Sequence, residues 1–246
     1  MGEEIEEEIA RALGRVDVPS ARAIYRAQGE FLSLPRCLPL ELVARLVEEV
    51  ERVRPFEHRV RVPGKKSASV SFYALRRHAP AIMALYRSPA LARFLAALTE
   101  GPVLPCPEDD PHACALYVYR LPGDYITAHY DTSFYRGVRY TVLVGLVNRT
   151  QSRLACRLHR DDPSRAPVDL ALATEPGTAV VFNGDTLWHA VTPLGAGEER
   201  VTLTMQFVTT QAMSRFKRFV SDMKDSISYF GFREVFGGRA HERREG

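Results

Sequence analysis

The chain has 246 residues, of which 46% are hydrophobic and 26% charged, and its formal net charge is +3. This composition is typical of one large or two small globular domains, and so small a net charge gives no argument for nucleic acid or a membrane surface as partner. No apolar run approaches the roughly 18 residues of a membrane span, and the acidic start, EEIEEE, is unlike a secretory signal. We therefore expect a cytoplasmic monomer or homodimer without nucleic-acid or membrane partners.

Residues 1–65 are predicted to be mainly helical. In the best-marked part, apolar residues recur at helical spacing between Leu40 and Val53 and charged residues fill the opposite face. Pro39 stands at the start of this helix and Pro55 ends it. The stretch Val62–Ser69 is polar and turn-prone and is predicted to be a loop, whereas Val70 and Phe72 suggest a short strand.

A second helix is predicted over residues 88–100. Ser88 is a suitable N-cap, Pro89 occupies the first helical position, and Gly101 follows the end. The next eleven residues contain four prolines, so no regular structure is expected there.

Short strands separated by Pro/Gly turns dominate the chain from Ala113 onward. Strands are predicted over residues 115–120, 125–131, 138–147, 178–182 and 200–208. This pattern between helical flanks favours a double-sheet jelly roll over a βαβ fold. We predict a mostly β fold with flanking helices, in one domain: residues 1–110 as mainly helical support, 111–210 as the β core, and 211–246 as a C-terminal helix and tail.

The C-terminal part combines a helical pattern over residues 211–227 with an aromatic segment from Tyr229 to Phe236. Core packing or a dimer contact is the expected use of these aromatic residues, and a lid over a binding site is the alternative. A purely structural interaction module remains a third interpretation.

A candidate metal site is formed by His129, Asp131 and His189. On an extended strand, side chains two residues apart point the same way, so His129 and Asp131 leave one face together. His189, in LWHAV, offers a third ligand from another strand. Two histidines and one carboxylate on one side of a metal form the facial arrangement of non-haem Fe(II) oxygenases. The other histidines, His58, His78, His112, His159 and His241, are not expected to be ligands.

The last predicted strand alternates between apolar and polar residues. Val201, Leu203, Met205 and Phe207 share one face, and Arg200, Thr202, Thr204 and Gln206 share the other. If the apolar face packs against the N-terminal helices, the polar face lines the interior. Buried Arg and Thr side chains are costly without a polar ligand, and an arginine suits a bidentate grip on a carboxylate. This predicts an anionic small molecule beside the metal.

With these residues the chain resembles the Fe(II)/2-oxoglutarate-dependent dioxygenases, and their prolyl-4-hydroxylase-like branch in particular, over about residues 110–210. The pattern of an early tyrosine, a glycine and an aromatic before HxD matches Tyr119, Gly123, Tyr125, His129 and Asp131. The residues VRYTVLVGLVN resemble the strand that follows the motif, with Thr141 two after Arg139, one residue tighter than usual. Gly177 to His189 is similar to the segment that carries the distal ligand, and Arg200 with Thr202 to the pair that holds 2-oxoglutarate.

The sequence departs from that branch in three places. Arg200 stands where lysine is common, Gly145 takes about the place of a second tyrosine contact, and SRLACRLHR replaces the usual GGEL-type segment. These departures concern the substrate and not the iron site. Halogenating relatives lack the carboxylate ligand, so Asp131 favours oxygenation.

The resemblance implies a double-stranded β-helix (jelly-roll or cupin-like) core packed on the N-terminal helices. It also implies Fe(II) on His129, Asp131 and His189, with 2-oxoglutarate and O2 as cosubstrates. The cosubstrate would be held by Arg200 and Thr202. Further candidates for this role are Tyr119, Tyr117 and Thr141, although the two tyrosines could simply pack.

The expected substrate is a small polar metabolite, such as an amino acid or a natural-product intermediate, oxidised at an unactivated C–H bond with release of succinate and CO2. A peptidyl hydroxylase is the alternative within this class, and a non-oxidative cupin-like isomerase or sensor is the alternative outside it. Loops bordering such sites often select the substrate. The candidate substrate contacts near the motifs are Thr132, Ser133, Tyr135, Arg136, Asn183 and Trp188. Arg120, Arg136 and Arg139 either meet a substrate carboxylate or are simply solvated.

The four cysteines, Cys37, Cys106, Cys114 and Cys156, are widely spaced and form no CxxC pair. Free thiols are the simplest interpretation in a reducing compartment, with a metal or disulfide role as the alternative. Free thiols are also compatible with an iron that must stay reduced.

Overall fold

A curled antiparallel β-sheet is the centre of the fold. The computed structural model describes residues 2–237, except for the side chain of Arg215. The strands are Phe31–Leu34 (β1), His58–Val62 (β2), Lys65–Val70 (β3), Leu104–Pro105 (β4), Cys114–Tyr119 (β5), Tyr125–His129 (β6), Arg139–Arg149 (β7), Leu154–Leu158 (β8), Val168–Leu172 (β9), Ala179–Asn183 (β10), Trp188–Val191 (β11) and Glu199–Val208 (β12). The strands pair in the order β1-β10-β7-β12-β5-β3-β6-β11-β8-β9.

Helices flank the sheet. They are Gly2–Leu13 (α1), Val18–Ala27 (α2), Leu40–Val53 (α3), Phe72–His78 (α4), Pro80–Tyr86 (α5), Pro89–Thr99 (α6) and Arg215–Asp225 (α7), with a 3-10 turn at Arg54–Phe56, a π-helical turn at Ser226–Phe230 and a last helical turn at residues 232–237. The helices before residue 100 share one apolar core with the outward face of β12, where Val201, Leu203, Met205 and Phe207 are buried. The predicted mostly β fold with a double-stranded β-helix core and flanking helices is confirmed.

The apolar residues of β12 therefore face the helical core, and its polar residues face the interior of the sheet, as predicted. Its other face, with Arg200, Thr202, Thr204 and Gln206, lines a cavity inside the curled sheet. The opposite wall of this cavity comes from β6 and β11, through His129, His189 and Val191. A second apolar cluster includes Leu143, Leu154 and Phe182, and the first two of these residues also line the cavity.

The N-terminal third contains more β-structure than predicted. Residues 1–65 include β1 and β2, and the predicted loop Val62–Ser69 is wrong because β3 pairs with β2, β5 and β6. Lys, Ser and Ala have low strand propensity, so this strand is formed by its partners and not by its own sequence. Only Pro63 and Gly64 turn, with Gly64 at φ 81°.

Other predicted boundaries also changed. Phe72 begins α4 and is not in a strand, because the Ser71 hydroxyl caps that helix by accepting from the Ala74 N–H. Ser88 caps α6 as predicted, but the left-handed residue after α6 is Glu100 and not Gly101. The strand predicted over 125–131 ends at His129, and β8 and β9 were not predicted.

One stretch of the described chain, Pro80–Thr99, is long and apolar enough to cross a membrane by length and composition. It consists of two helices, α5 and α6, and 61% of its most apolar window is buried inside the fold. This burial is what a helical pair in a protein core shows.

Candidate metal and cosubstrate site

The side chains of His129, Asp131 and His189 meet at one end of the cavity, each offering one ligand atom, with these atoms all within 4.8 Å of one another. His129 ends β6 and lies directly opposite His189 in the antiparallel pairing with β11, which brings the two imidazole centroids to 4.4 Å. Asp131 follows in the loop. Its Oδ1 is 3.5 Å from His129 Nε2 and its Oδ2 is 3.9 Å from His189 Nε2.

Backbone carbonyls orient both imidazoles. His129 Nδ1 lies 2.9 Å from the carbonyl of Thr127, and His189 Nδ1 lies 3.1 Å from that of Leu187. A proton on Nδ1 satisfies each carbonyl and leaves the Nε2 lone pair free toward Asp131. Such a bond to the second ring nitrogen is the usual way in which a protein fixes a metal-binding histidine.

Thr141 and Gly184 position the carboxylate. Thr141 donates its hydroxyl to Asp131 Oδ2 at 2.9 Å and contacts Gln206 Oε1 at 3.0 Å. A Cβ at Gly184 would lie 2.8 Å from the Asp131 carbonyl oxygen and 2.9 Å from its Cβ. Glycine is therefore needed there, since a side chain would displace the carboxylate.

The electrostatics favour an ionised carboxylate between imidazoles. Burial alone would raise the pKa of Asp131, but His189 and the hydrogen-bonded His129 outweigh it and hold that pKa well below its usual range. Burial lowers the pKa of His189 in spite of Asp131. Burial alone would lower the pKa of His129, but the hydrogen bond and the charge of Asp131 outweigh it and raise that pKa. A metal needs neutral imidazoles and an ionised carboxylate, so a divalent cation would compete with a proton at His129.

Arg200 supplies a second functional group in the cavity. The residue is only 1% exposed and lies opposite Tyr119 in the β12–β5 pairing. Its Nε and Nη1 have no hydrogen-bond partner among the described residues, and the same holds for the hydroxyls of Thr202 and Thr204. Burial lowers the pKa of Arg200, yet an arginine remains charged in a protein.

A buried guanidinium without an acceptor is costly, and a carboxylate is the ligand that satisfies it best. The donor set therefore fits both groups that the sequence implies. Two imidazoles and a carboxylate fit a divalent iron, and Arg200 with two free hydroxyls fits an organic anion beside it.

Part of the C-terminal segment, here called the cover, forms one side of the cavity. Tyr229 and Lys224 line it together with His112 and Tyr117. His112 links the segment to the sheet, because its Nδ1 is 2.8 Å from Asp225 Oδ1 and its Nε2 is 2.9 Å from the Tyr117 hydroxyl. Phe230 packs on Ala115, whereas Phe216 and Phe219 of α7 are exposed. The aromatic residues thus divide between a cover over the cavity and an exposed face of α7.

The predicted cosubstrate contacts take different places. Tyr117, Tyr119, Arg200 and Thr202 line the cavity, whereas Thr141 contacts the candidate metal carboxylate. The glycine noted in the long strand, Gly145, cannot be replaced by a larger side chain, since its Cβ would lie 2.3 Å from the Thr174 carbonyl oxygen.

The predicted substrate contacts lie outside the cavity lining of the described residues. Thr132 and Arg136 are exposed and the Ser133 N–H donates to Asp185. Tyr135 is buried and donates its hydroxyl to Asp110.

The two candidates near the distal ligand also have other partners. Asn183 is buried and donates to Glu30. Trp188 packs against Tyr130, with the Arg160 guanidinium 3.9 Å above its ring. Tyr130 itself lines the cavity, so Trp188 reaches the site through Tyr130.

The remaining predicted arginines differ in their surroundings. Arg139 is buried, lines the cavity and donates to Gln206. Arg120 is paired with Glu57 on the surface.

Sequence reasoning missed several cavity residues. His112 lines the cavity but was set aside because it lies outside the HxD pattern. Tyr229 belongs to the segment for which a lid was an alternative, so the aromatic pattern was the available signal. His58, His78 and His159 lie away from the cavity lining of the described chain, and His241 lies outside the described residues.

Neither a family model nor a curated protein sequence matches this chain, but many solved structures do. The epimerase SnoN, in complex with Fe3+, alpha-ketoglutarate and nogalamycin RO, matches with a TM-score of 0.65 at 14% identity, covering 78% of this chain and 83% of that one. A 2OG-Fe(II) oxygenase family protein from Burkholderia pseudomallei matches at 0.64 and 18% identity, over 82% and 95% of the two chains. A prolyl hydroxylase from Trichoplax adhaerens, in complex with a hypoxia inducible factor peptide fragment, matches at 0.62 and 15% identity, over 83% and 92%.

These likenesses confirm, at the level of the fold, the resemblance that the motifs indicated. The chain has the fold of the Fe(II)/2-oxoglutarate-dependent oxygenases, including prolyl hydroxylases.

Proposed function

We propose that this protein is an Fe(II)- and 2-oxoglutarate-dependent oxygenase that oxidises an unactivated C–H bond of a small polar metabolite. The observation that carries the proposal is the buried guanidinium of Arg200, without a hydrogen-bond partner on Nε and Nη1 among the described residues, in the same cavity as His129, Asp131 and His189. A barrel that only bound a metal would have no use for this costly cation.

The chain's own residues would prepare the site. His129 and His189 would offer their Nε2 atoms and Asp131 a carboxylate oxygen to Fe(II), while Thr141 keeps that carboxylate in place. Three ligands on one side leave positions open for the cosubstrate and O2. When bound, Fe(II) would activate O2, which is the oxidant, and 2-oxoglutarate would act as the co-reductant and leave as succinate and CO2.

Arg200 would fix the orientation of the cosubstrate by pairing with its far carboxylate, and the free Thr202 hydroxyl is placed to add a hydrogen bond. Two parallel N–H donors from a planar guanidinium match the two oxygens of a carboxylate. Leu143 and Leu154 of the second apolar cluster also line the cavity, and such apolar surroundings would strengthen this ion pair.

A small metabolite is the substrate class that we favour, with a peptide as the second candidate. Two observations on similar structures support these classes, since one was solved with a natural product and another with a peptide fragment. The cover formed by Tyr229 and Lys224 over the cavity favours a molecule that fits beneath it. We also propose a cytoplasmic location, for which the four free cysteines are the support.

The experiment is a succinate-release screen of the Fe(II)-loaded protein with 2-oxoglutarate and O2. The panel contains amino acids, small organic acids and proline-containing peptides, and the mass of each product is measured. A product heavier by one oxygen atom, or lighter by two hydrogens, together with matching succinate supports the proposal. Asp131→Ala should abolish both. A protein that binds the metal but does not bind 2-oxoglutarate would contradict the proposal and would favour a non-oxidative isomerase or sensor.

A further inference from the structure

A buried lysine beside the candidate site has no assigned role. Lys65, the first residue of β3, is 5% exposed. Its Nζ lies 3.2 Å from the ring centroid of Tyr229 and 5.0 Å from that of Tyr117, and both of these tyrosines line the cavity. Within the part of the chain that the structure describes, Nζ has no hydrogen-bond acceptor.

Two aromatic faces do not satisfy an ammonium group. A lysine ammonium carries three N–H donors and no acceptor, and a cation–π contact attracts the charge without accepting a hydrogen bond in line with each N–H. Burial lowers the pKa of Lys65 well below its ordinary value, with Lys224 as a further cause. A buried cation that lacks an acceptor is costly in the same way as Arg200 is.

Lys65 and Arg200 stand on different strands and have different neighbours. Lys65 pairs with Ile126 of β6, the strand that ends at His129, whereas Arg200 pairs with Tyr119 of β5 and Asn148 of β7. Lys65 therefore lies on the side of the candidate metal ligand and of the C-terminal cover. An anion held by Arg200 would leave Lys65 without a partner.

A second cation stands on the same side. Lys224 lines the cavity from the cover, and its side chain is 39% exposed. The nearby carboxylate of Asp225 is 3.9 Å from Lys224 Nζ but only 2.8 Å from His112 Nδ1. Asp225 is thus closer to His112 than to Lys224, and Lys224 adds a second ammonium group on the side of Lys65.

We propose that Lys65, assisted by Lys224, binds a carboxylate of the substrate, so that the substrates of this protein are small organic acids. The inference rests on the proposed function and adds to it the chemical class of the substrate. The carboxylate would take the free N–H donors of Lys65, next to the rings of Tyr117 and Tyr229. Substrate binding would then remove the cost of the buried ammonium, which makes the lysine selective for anions over neutral analogues.

A purely structural role for Lys65 makes a different prediction. If its ammonium only fastened Tyr229 in the cover, the charge of the substrate would not matter. The test therefore compares each acid with its own carboxamide, which has nearly the same shape and no charge.

The experiment measures stimulation of succinate release from 2-oxoglutarate by a panel of small carboxylic and amino acids and by the matching carboxamides. We expect half-saturating concentrations to be at least roughly 10-fold lower for acids than for amides, as for the loss of a charge-assisted hydrogen bond. Lys65→Met should remove this preference and should weaken the acid more than it weakens 2-oxoglutarate. Lys66→Met is the matched control, because Lys66 donates to the carbonyl of Pro122 on the surface. The control should keep the preference.

Equal stimulation by acids and amides, or an unchanged preference in Lys65→Met, would overturn the inference while leaving the proposed function intact. Failure of the wild-type protein to bind 2-oxoglutarate would instead overturn the proposed function. If no compound of the panel stimulates, acetate is the deciding probe, with the lysine side-chain 15N signals of the Zn(II)- and 2-oxoglutarate-loaded protein as readout. A shift of the Lys65 signal, assigned with Lys65→Arg, supports the inference, and an unmoved signal rejects it.

Discussion

Replacing Arg200 by methionine tests two effects of the buried cation separately: its effect on the stability of the ligand-free protein and its contribution to 2-oxoglutarate binding. In the protein without ligands, the guanidinium is 1% exposed and lacks acceptors on Nε and Nη1 among the residues described. Methionine fills similar space without a charge. We therefore expect Arg200→Met to be at least as stable as the wild type without ligand, because an unsatisfied buried donor costs about 1–3 kcal/mol.

The same substitution should nearly abolish 2-oxoglutarate binding. Two charge-assisted hydrogen bonds, at about 1.5–3 kcal/mol each, amount to about 3–6 kcal/mol, or a loss of affinity of roughly 10²- to 10⁴-fold. In a thermal unfolding assay, 2-oxoglutarate at 100 times its wild-type Kd should stabilise the wild-type protein by about 2.7 kcal/mol. For a chain of this size that corresponds to a rise in Tm of about 5–11 °C.

Arg149→Met is the matched control, because Arg149 is an exposed arginine on the neighbouring strand β7 that pairs with Glu199. The control should keep the full rise in Tm with 2-oxoglutarate, and Arg200→Met should show almost none. A wild-type-like rise in Arg200→Met would refute the assignment of Arg200 as the carboxylate anchor. A large loss of stability in Arg200→Met without ligand would show that the guanidinium is structurally satisfied.

Three further predictions concern the surroundings of the site. Thr141→Val should weaken Fe(II) binding by roughly 10- to 100-fold, since it removes the hydrogen bond to Asp131; a metal titration with unchanged affinity would contradict this. Gly184→Ala should also weaken Fe(II) binding, because the new Cβ would lie 2.9 Å from the Asp131 Cβ. A metal affinity equal to that of the wild type would contradict this prediction. The pKa of Lys65 is lowered in the folded protein. Between this lowered pKa and the unfolded value of about 10.4, the unfolded chain therefore binds more protons than the folded protein. As a result, the free energy of unfolding of the wild type rises with pH over this range. Lys65→Met lacks this gain, so its advantage in Tm over the wild type should shrink as the pH rises toward 10.4; an advantage that grows would contradict the sign.

The cavity wall formed by β12 could be predicted from the sequence, because apolar and polar residues alternate along this strand. In β12 the alternation of apolar and polar residues assigns one face to the helical core and the other to the cavity, because successive side chains of a strand point to opposite faces. The HxD spacing and the later LWHAV segment also predicted His129, Asp131 and His189 as metal ligands from the sequence alone. The pairing of β6 with β11 brings the two histidines together, whereas Asp131 follows in the loop and is positioned by Thr141 and Gly184.

The parts that could not be predicted depend on contacts distant in sequence. Lys65 lies in a strand whose residues have low strand propensity, and only its pairing with β2, β5 and β6 makes it extended. Gly184 matters because the backbone of Asp131 passes close to it. Likewise, His112 enters the cavity through its bond to Asp225, more than a hundred residues away in the chain. Local pattern carries no information on such approaches.

The departures from the prolyl-hydroxylase pattern now have physical reasons. Gly145 is retained because the backbone of residues 174–175 fills the space beside it, so no second tyrosine can come from that position. Leu143 reaches the cavity from the same strand instead. In place of the GGEL-type segment, SRLACRLHR contains β8, which pairs with β11 and places Cys156 opposite His189.

The central claim is that His129, Asp131 and His189 hold Fe(II) beside a 2-oxoglutarate anchored by Arg200. The most direct measurement is the visible absorption spectrum of the Fe(II)-loaded protein, titrated anaerobically with 2-oxoglutarate. We predict a charge-transfer band that saturates in the wild type and is absent in His129→Ala. A wild-type protein that shows no band, or a His129→Ala variant with an unchanged band, would contradict the account.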